Sequence, residues 1–446
     1  PPAPVSDALH PVLVRDGALS LFATRAGPVT IADGEVIPLA PGRAPVRDPL
    51  LGRGLPERKS FVGLVGLQIV AFAGTVTEPR AAYLVVSEDM LRGEVDIHTY
   101  RLGDRGWGSR DRKRGELTEY YADLLETPEG AVLGLRHYNL QDAKFEEEDD
   151  EDPESVAYWA QVRNELAAAP PGFVPLLGKP ARVPHLPPGW TLTTAVATSD
   201  GRVVGLGRRE DERQPSKLLL WGPEEVLPDK REIPGLSMGE DDRWELGLWA
   251  VGTRVLLGGE ENGRPYLALG EGETWAEIPV TLPEPPTDLE GPEASRVISS
   301  ATMTTGGELW ITTGEWFVGE VRPATTLWRR GPGNGEGQQQ PAWEGVSLAP
   351  VQFPSDAAAR KIFDPVEDQW VEIPAAGPSD GASARKVLWA SDTLWVLADL
   401  GPIYGGRGEL AHLEESRNVV YASRAAPLTE LPSIGELARE RGAGDE

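Results

Sequence analysis

Histidine is scarce in this chain: His10, His98, His137, His185 and His412. Imidazole titrates near neutral pH and is the commonest metal ligand, so its spacing is the first test for chemistry. No pair stands at metal-ligand spacing such as His-x-Glu-x-x-His, which leaves a catalytic zinc site without support. His137, at the end of an apolar run, is the best single candidate for function, against the ordinary alternative of a satisfied structural histidine. The acidic run Phe145–Glu154 (FEEEDDEDPE) is the second candidate. Calcium wants several carboxylate oxygens, and Glu147, Glu148, Asp149 and Asp150 are weak candidates to supply them. The run lacks the glycine-punctuated alternation of an ordered calcium loop, so it reads first as a solvated acidic loop that attracts a basic partner. Asp16, Asp33 and Asp200 each precede glycine and read as turn formers rather than catalytic carboxylates. Gly-x-Gly fragments such as Gly270–Gly272 read as hairpin turns, with no phosphate loop opening a helix. No catalytic residue is assigned, and no cofactor beyond that calcium possibility.

The chain has 446 residues, no cysteine and a formal net charge of −27. Disulfides, thiolate metal sites, cysteine nucleophiles and the copper–radical oxidases built on propellers are therefore excluded. The charge repels nucleic acid and anionic lipid, and suits cationic ligands or basic proteins. Phe61–Val76 approaches the length of a membrane span, but Gly63, Gly66, Gln68 and Gly74 interrupt it, so no span is expected. The start, Pro1-Pro2-Ala3-Pro4, has no initiator Met and reads as a mature or trimmed end. We expect an extracytoplasmic protein of bacterial type: secreted, periplasmic or surface-attached.

Strands must position any such site. An apolar run, a tight turn and a second apolar run ending near glycine recur seven times. The copies are Val12–Thr24, Phe61–Gly74, Ala122–His137, Thr193–Gly207, Leu246–Gly259, Ser299–Gly314 and Val387–Asp399. Each is a β-hairpin signature. Third and fourth strands follow, many ending in Glu-Ile-Pro or its like, as at Tyr266–Pro279 and Lys361–Pro374. Four short strands per unit at a period of roughly 40–55 residues mark an all-β chain folded as a single β-propeller. Seven blades are expected, at about 11–42, 60–104, 117–180, 190–236, 244–282, 296–376 and 385–433. Together these occupy residues 1–436, with 437–446 as a frayed tail. Six or eight blades stay open, since both Trp343 and Trp370 suit the last strand of the sixth. Both terminal blades hold complete strand sets in this reading, with no sign of an exchanged strand. Most of the 14 tryptophans are expected in the core between blades.

Gly258-Gly259, Tyr266 and Trp275 resemble the Gly-Gly, Tyr, Trp order of kelch repeats, and Phe363-Asp364-Pro365 before Trp370 resembles a kelch strand turn. Gly272-Glu273-Thr274-Trp275 resembles the end of an Asp-box, although Ala268 and Gly270 stand where that motif has Ser and Asp. The resemblance covers about three blades and implies the propeller fold, not an activity.

Two segments break the repeat. Residues 138–170 form an insertion in the third blade, in which Val156, Trp159, Val162 and Leu166 share one arc of a helix, although the repeat register equally allows Ala157–Val162 as that blade's third strand. Ser433–Arg441 reads as a short terminal helix. The long insertions, at Tyr138–Glu154, Arg208–Ser216, Glu315–Thr325 and Leu400–Arg417, all join second to third strands. Those loops share one propeller face, and long loops on a rigid scaffold are where binding resides. That face presents His137, Tyr138, Trp159, Arg208, Arg209, Glu260, Glu315, Trp316, Phe317 and Tyr404, a mixed aromatic and charged surface suited to a protein or glycan. The reading is a non-catalytic binding or scaffold module that recognises a protein partner. Its rivals are a propeller enzyme acting on a glycan or small metabolite, and a structural subunit of a surface assembly. The oligomeric state is left open.

Overall fold

The computed structural model describes residues 9–16, 19–32, 35–45, 67–73, 83–89, 95–103, 106–109, 112–114, 117–140, 152–209, 217–235, 244–261, 264–283, 295–316, 326–332, 341–349, 351, 360–364, 369–373, 382–404 and 415–431. They are almost entirely β, in small antiparallel sheets that are the blades of a β-propeller. Six sheets of four or five strands are present among the described residues, not seven. The chain divides into two compact units, residues 68–233 and residues 1–67 with 234–446.

The first of these carries three blades, each a meander of neighbouring strands. Blade I is Leu67–Ala73, Tyr83–Asp89, Val95–Gly103 and Gly106–Ser109. Blade II is Arg112–Arg114, Leu117–Glu126, Val132–Leu140 and Gly172–Leu177. Blade III is Trp190–Ala197, Val203–Arg209, Lys217–Trp221 and Asp229–Glu232. Between the last two strands of blade II lies helix α1, Pro153–Ala168. Asp152 caps it by accepting from the Glu154 N–H at 3.0 Å, and Pro153 fits the first helical position, where no amide donor is needed. The helix buries Ser155, Tyr158 and Val162, while Val156 is exposed. The arc expected from sequence is therefore rotated, because Tyr158 and Val162 dock on Leu117, with Tyr138, Trp159 and Leu166 around them.

Blades II and III share a core of Leu125, Leu133, Leu135, Phe173, Leu192, Val203, Leu219 and Trp221. Phe173 meets the fully buried Trp221 edge-on, with ring centroids 5.6 Å apart. The large aromatic fills the wedge between two twisted sheets, as expected of tryptophan here.

In the other unit, blade IV is Trp244–Val251, Arg254–Glu261, Arg264–Glu271 and Thr274–Glu277. Gly258 and Gly259 lie on its second strand, Tyr266 on its third and Trp275 on its fourth, the order of the kelch resemblance. Blade V is Ser295–Met303, Leu309–Trp316, Leu327–Arg330 and Glu344–Gly345. Trp343 packs into the core of blades IV and V, and its indole N–H donates to the Pro279 carbonyl at 3.1 Å. Trp370 lies instead in a separate two-stranded ribbon, Arg360–Asp364 with Gln369–Ile373, paired with Phe363. This answers the ambiguity of the expected sixth blade.

Blade VI overturns the expectation that both terminal blades are complete in themselves. Its strands Ser383–Ala390, Thr393–Tyr404 and Glu415–Ala422 are followed by His10–Asp16, from the other end of the chain. That strand pairs antiparallel with Glu415–Ala422 and parallel with Thr429–Leu431. Ser20–Thr24 pairs with Gly27–Ala32, and that strand with Glu35–Pro38, in a separate three-stranded sheet. The first of the seven hairpin signatures is thus no hairpin: its halves serve two sheets, and the blade count falls to six. Val12, Leu13 and Val14 are all buried, which suits a strand enclosed on both sides rather than an edge.

Inner strands are stitched to their neighbours by side chains. The first strand of blade V sends Ser300 Oγ to the Val387 carbonyl at 3.0 Å and Thr302 Oγ1 to the Trp389 N–H at 3.1 Å. Between blades II and III, Asp123 Oδ2 accepts from Thr194 Oγ1 at 2.8 Å and from the Ala195 N–H at 3.1 Å. The strands involved carry β-bulges at Tyr121/Asp123, Leu192/Thr194, Ile298/Ser300 and Ala384/Lys386. Trp190–Ala197 and Ser383–Ala390 are edge strands of their sheets, and the adjacent blade satisfies the backbone groups on their open side.

No helix among the described residues is long and apolar enough to cross a membrane. The acidic residues Glu147, Glu148, Asp149 and Asp150 and the segment Ser433–Arg441 lie outside the described residues.

Candidate functional site

The richest polar grouping lies on blades II and III, at the end where α1 interrupts blade II and where the second strand of blade III leads to its third. In blade II, Tyr120 stands opposite His137 in the antiparallel ladder. Their ring centroids are 5.8 Å apart at an interplanar angle of 31°. From blade III, Arg208 brings a positive charge that acts on both rings. Its Nε donates to Thr191 Oγ1 at 3.3 Å, which ties the guanidinium to its own blade.

The electrostatics follow from burial. Loss of solvent disfavours the imidazolium, the Arg208 charge adds to the effect, and together they bring His137 down to about 4. His137 is therefore neutral at physiological pH. Burial pushes the Tyr120 phenol up, and Arg208 pulls it part of the way back. The site carries a fixed cation, a neutral imidazole and a protonated phenol.

Among the described residues, Trp275 Nε1 and Trp310 Nε1 in other blades are buried with no hydrogen-bond partner in the protein, as are Thr118 Oγ1, His137 Nε2, Trp159 Nε1 and Glu165 Oε2. An unsatisfied buried polar atom costs about 1–3 kcal/mol, and native proteins retain few of them. Thr118, His137, Trp159 and Glu165 belong to blade II and its helix. They form two groups, because alternation along the strand separates them. Thr118, Tyr120 and His137 share one face of blade II, while Leu117 and Tyr138 are on the other, where α1 docks.

Tyr138 is an anchor for that helix. Its hydroxyl donates to the Ala169 carbonyl at 2.6 Å, and Arg136 donates to the Pro170 carbonyl through Nε at 3.2 Å and Nη2 at 2.5 Å. Trp159 meets Tyr158 edge to face, at 5.4 Å. The sequence expectation thus divides. His137 and Arg208 come together, Tyr138 and Trp159 come together on the opposite face, and Arg209 is exposed opposite Trp190. Glu260 is half-buried on blade IV, in the other compact unit. Glu315 and Trp316 end a strand of blade V, and Tyr404 ends a strand of blade VI, but their side chains lie outside what the structure describes, as does Phe317 entirely. Tyr120 and Thr118 went unnoticed in the sequence.

Other candidates resolve into structure. Thr198 and Arg202 hold the Asp200 carboxylate in a turn that continues through Gly201, at φ 87°. His185 uses its backbone, donating to the Val226 carbonyl at 2.8 Å and accepting from the Trp221 indole at 3.2 Å. In blade VI, the buried Asp399 pairs with Arg385 and stands opposite Asn418, itself opposite Arg15, a polar row inside the sheet. Among the described residues, no group of three or more histidines, aspartates and glutamates could hold a metal ion.

No protein-family model matches the sequence, and no curated protein does. Solved structures resemble it weakly. A luciferin-regenerating enzyme is 11% identical over 84% of this chain and 98% of its own, with a TM-score of 0.33. A neuraminidase-like protein of A/flat-faced bat/Peru is 7% identical over 96% and 98%, with a TM-score of 0.33. The soluble aldose sugar dehydrogenase of Escherichia coli is 11% identical over 94% and 98%, with a TM-score of 0.32. Likenesses of this strength carry nothing about chemistry.

Proposed function

We propose that the chain is a non-catalytic binding module that recognises a protein partner through the second-to-third-strand loops of its repeats (in blade II, where Arg112–Arg114 adds a strand in front, the connection that holds α1), with α1 and blades II and III at the centre. The observation that supports this is where the elaboration falls. The helix interrupts blade II just after His137 and Tyr138, at the blade end that also carries Arg208. The opposite blade ends are tight turns, such as the two-residue connection between Val251 and Arg254 with Gly252 at φ 62°. A helix docked by one narrow face leaves the rest of its surface for contact, including Val156. The net charge of −27 favours a basic partner. An extracytoplasmic location goes with this reading.

Cross-linking mass spectrometry on a complex captured from the native host tests it. A stoichiometric partner cross-linked to residues 138–169 and 208–216, and lost on Val156→Glu, is the expected result. Cross-links confined to the tight turns at 127–131 and 198–202 would place recognition on the opposite face. A clean monomer without partner would transfer the reading to the enzyme alternative.

A further inference from the structure

Three hydrogen-bonded turns close the ends of blades II and III that lie away from α1. The Gly130 N–H donates to the Thr127 carbonyl at 2.9 Å, the Gly201 N–H to Thr198 at 3.1 Å and the Glu225 N–H to Gly222 at 3.2 Å. Arg182, on the connection from blade II to blade III, bolts two of these turns together. Its Nε donates to the Pro223 carbonyl at 2.7 Å and its Nη2 to the Gly201 carbonyl at 3.1 Å, while Nη1 reaches the Glu225 carbonyl. Among the turns lies a cavity of about 120 Å³, wholly within residues 68–233. The buried Leu133 and Val203 line it, with Pro128, Pro184 and Pro223. The chain that leaves the cavity at Pro223 exposes two large apolar side chains, Val226 and Leu227. Their position is fixed, because the Val226 carbonyl accepts from the His185 N–H at 2.8 Å. We propose that the cavity and this apolar shelf form a docking site for a basic polypeptide segment, which seats one leucine-sized side chain in the cavity.

Size, wetting and charge select the occupant. A cavity of about 150 Å³ holds one benzene ring, so this one takes a single leucine-sized group. No residue lining it has a buried polar side-chain atom without a hydrogen-bond partner. Water inside therefore has few groups to bind, and an apolar side chain that displaces it gains affinity. Turns already held by hydrogen bonds lose little freedom on binding, which preserves that gain. The exposed shelf selects a polypeptide over a free small molecule, because an anchor in a pocket needs flanking contacts that keep water out. Around the mouth, the carboxylates of Glu129, Asp200, Glu224 and Glu225 stand against the guanidiniums of Arg182 and Arg202, and Arg202 is paired with Asp200. The surplus is acidic, in a chain already at −27, and it steers a basic segment. The site does not rest on the α1 reading, since it occupies the opposite blade ends.

Methyl spectra of the full chain, with leucine and valine labelled, test this with acetyl-Lys-Leu-Lys-amide at pH 7 and low salt. The expected result is a saturable shift of the Leu133, Val203 and Leu227 methyls that leaves Val156 on α1 unmoved. Acetyl-Lys-Ser-Lys-amide and acetyl-Glu-Leu-Glu-amide should each bind at least tenfold more weakly, the first for want of an anchor and the second for want of charge. Ala181→Phe places a ring at the exposed rim of the cavity and should abolish the shifts of Leu133 and Val203. Leu227→Ser should weaken the probe several-fold, with the remaining methyls confirming that both variants fold. Val156→Glu should leave this binding unchanged, so that the docking site and the α1 reading fail separately. A shift that never saturates, that the serine peptide reproduces, or that survives Ala181→Phe overturns the docking site. Acetyl-leucinamide bound as tightly as the basic peptide overturns the polypeptide occupant and leaves a pocket for small apolar molecules.

Discussion

His137 is under two pressures of the same sign, burial and the charge of Arg208, and both hold its ring neutral. The native value of about 4 lies below the unfolded value of 6.5. As pH falls from 6.5 towards 4, the unfolded chain takes up a proton that the native site refuses, so stability declines across that window. Above pH 6.5 the group contributes no pH dependence. Between pH 7.5 and 4.5 it should cost about 2–3 kcal/mol of stability. Urea titrations at both pH values should show that loss in the native chain, and His137→Gln should show a correspondingly smaller one. An unchanged difference would mean that the ring is already protonated in the fold. His137 was legible as a candidate because histidine is rare and this one ends a strand. Tyr120 was not legible, because the bulge at Tyr121/Asp123 shifts the register. An unbroken ladder counted back from the turn places Tyr121 opposite His137 and sends Tyr120 to the other face.

At the scale of elements, that bulge is a joint between blades. The Ala195 N–H and the Thr194 hydroxyl both converge on Asp123 Oδ2. Asp123→Ala removes the acceptor and leaves the amide without a partner, at an expected cost of about 1–3 kcal/mol. Asp123→Asn keeps an oxygen there and should cost less. Equal stabilities for the native chain and Asp123→Ala in urea would show that the joint does not hold the blades. Sequence pattern reads a strand's period well but gives no sign of which neighbour receives the amide of an edge strand such as Ala195. The helix repeats the lesson. Asp152-Pro153 announces its start, whereas its buried arc is chosen by Leu117 and Tyr138 on the docking surface. The turn between Ala390 and Thr393 is a milder case. Ser391 and Asp392 both adopt positive φ, at 51° and 52°, without the Asn-Gly pair that such a turn favours.

For the whole molecule, the hairpin rhythm was enough to read small antiparallel blades, and too local to count them. Asp16-Gly17 has the chemistry of a turn, yet the strand before it belongs to blade VI. Burial on both faces of Val12–Val14 is the physical mark of that role, and no local signature distinguishes it from a blade's own strand. Deleting residues 1–16 uncovers the edge of Glu415–Ala422 and leaves Thr429–Leu431 without its ladder partner. Each of Val12, Leu13 and Val14 contributes about 1.5–3 kcal/mol by burial, as an upper estimate, so the loss approaches the whole stability of an ordinary domain. The truncated chain is expected to aggregate through that edge, and a synthetic peptide of residues 9–16 added in trans should raise its melting temperature. No rise with peptide, or a truncated chain as stable as the native one, would show that the strand is dispensable.

That shared strand also sets a timetable for birth on the ribosome. Leu13 leaves the exit tunnel early, but Val420, which faces it in the ladder, follows roughly 400 residues later, about 20–80 s at ordinary translation speeds. Residues 68–233 need no such delayed partner, and their unit is contiguous in the chain. The nascent protein therefore matures first within residues 68–233, while His10–Asp16 waits, sticky and unclaimed, until Glu415–Ala422 has been made.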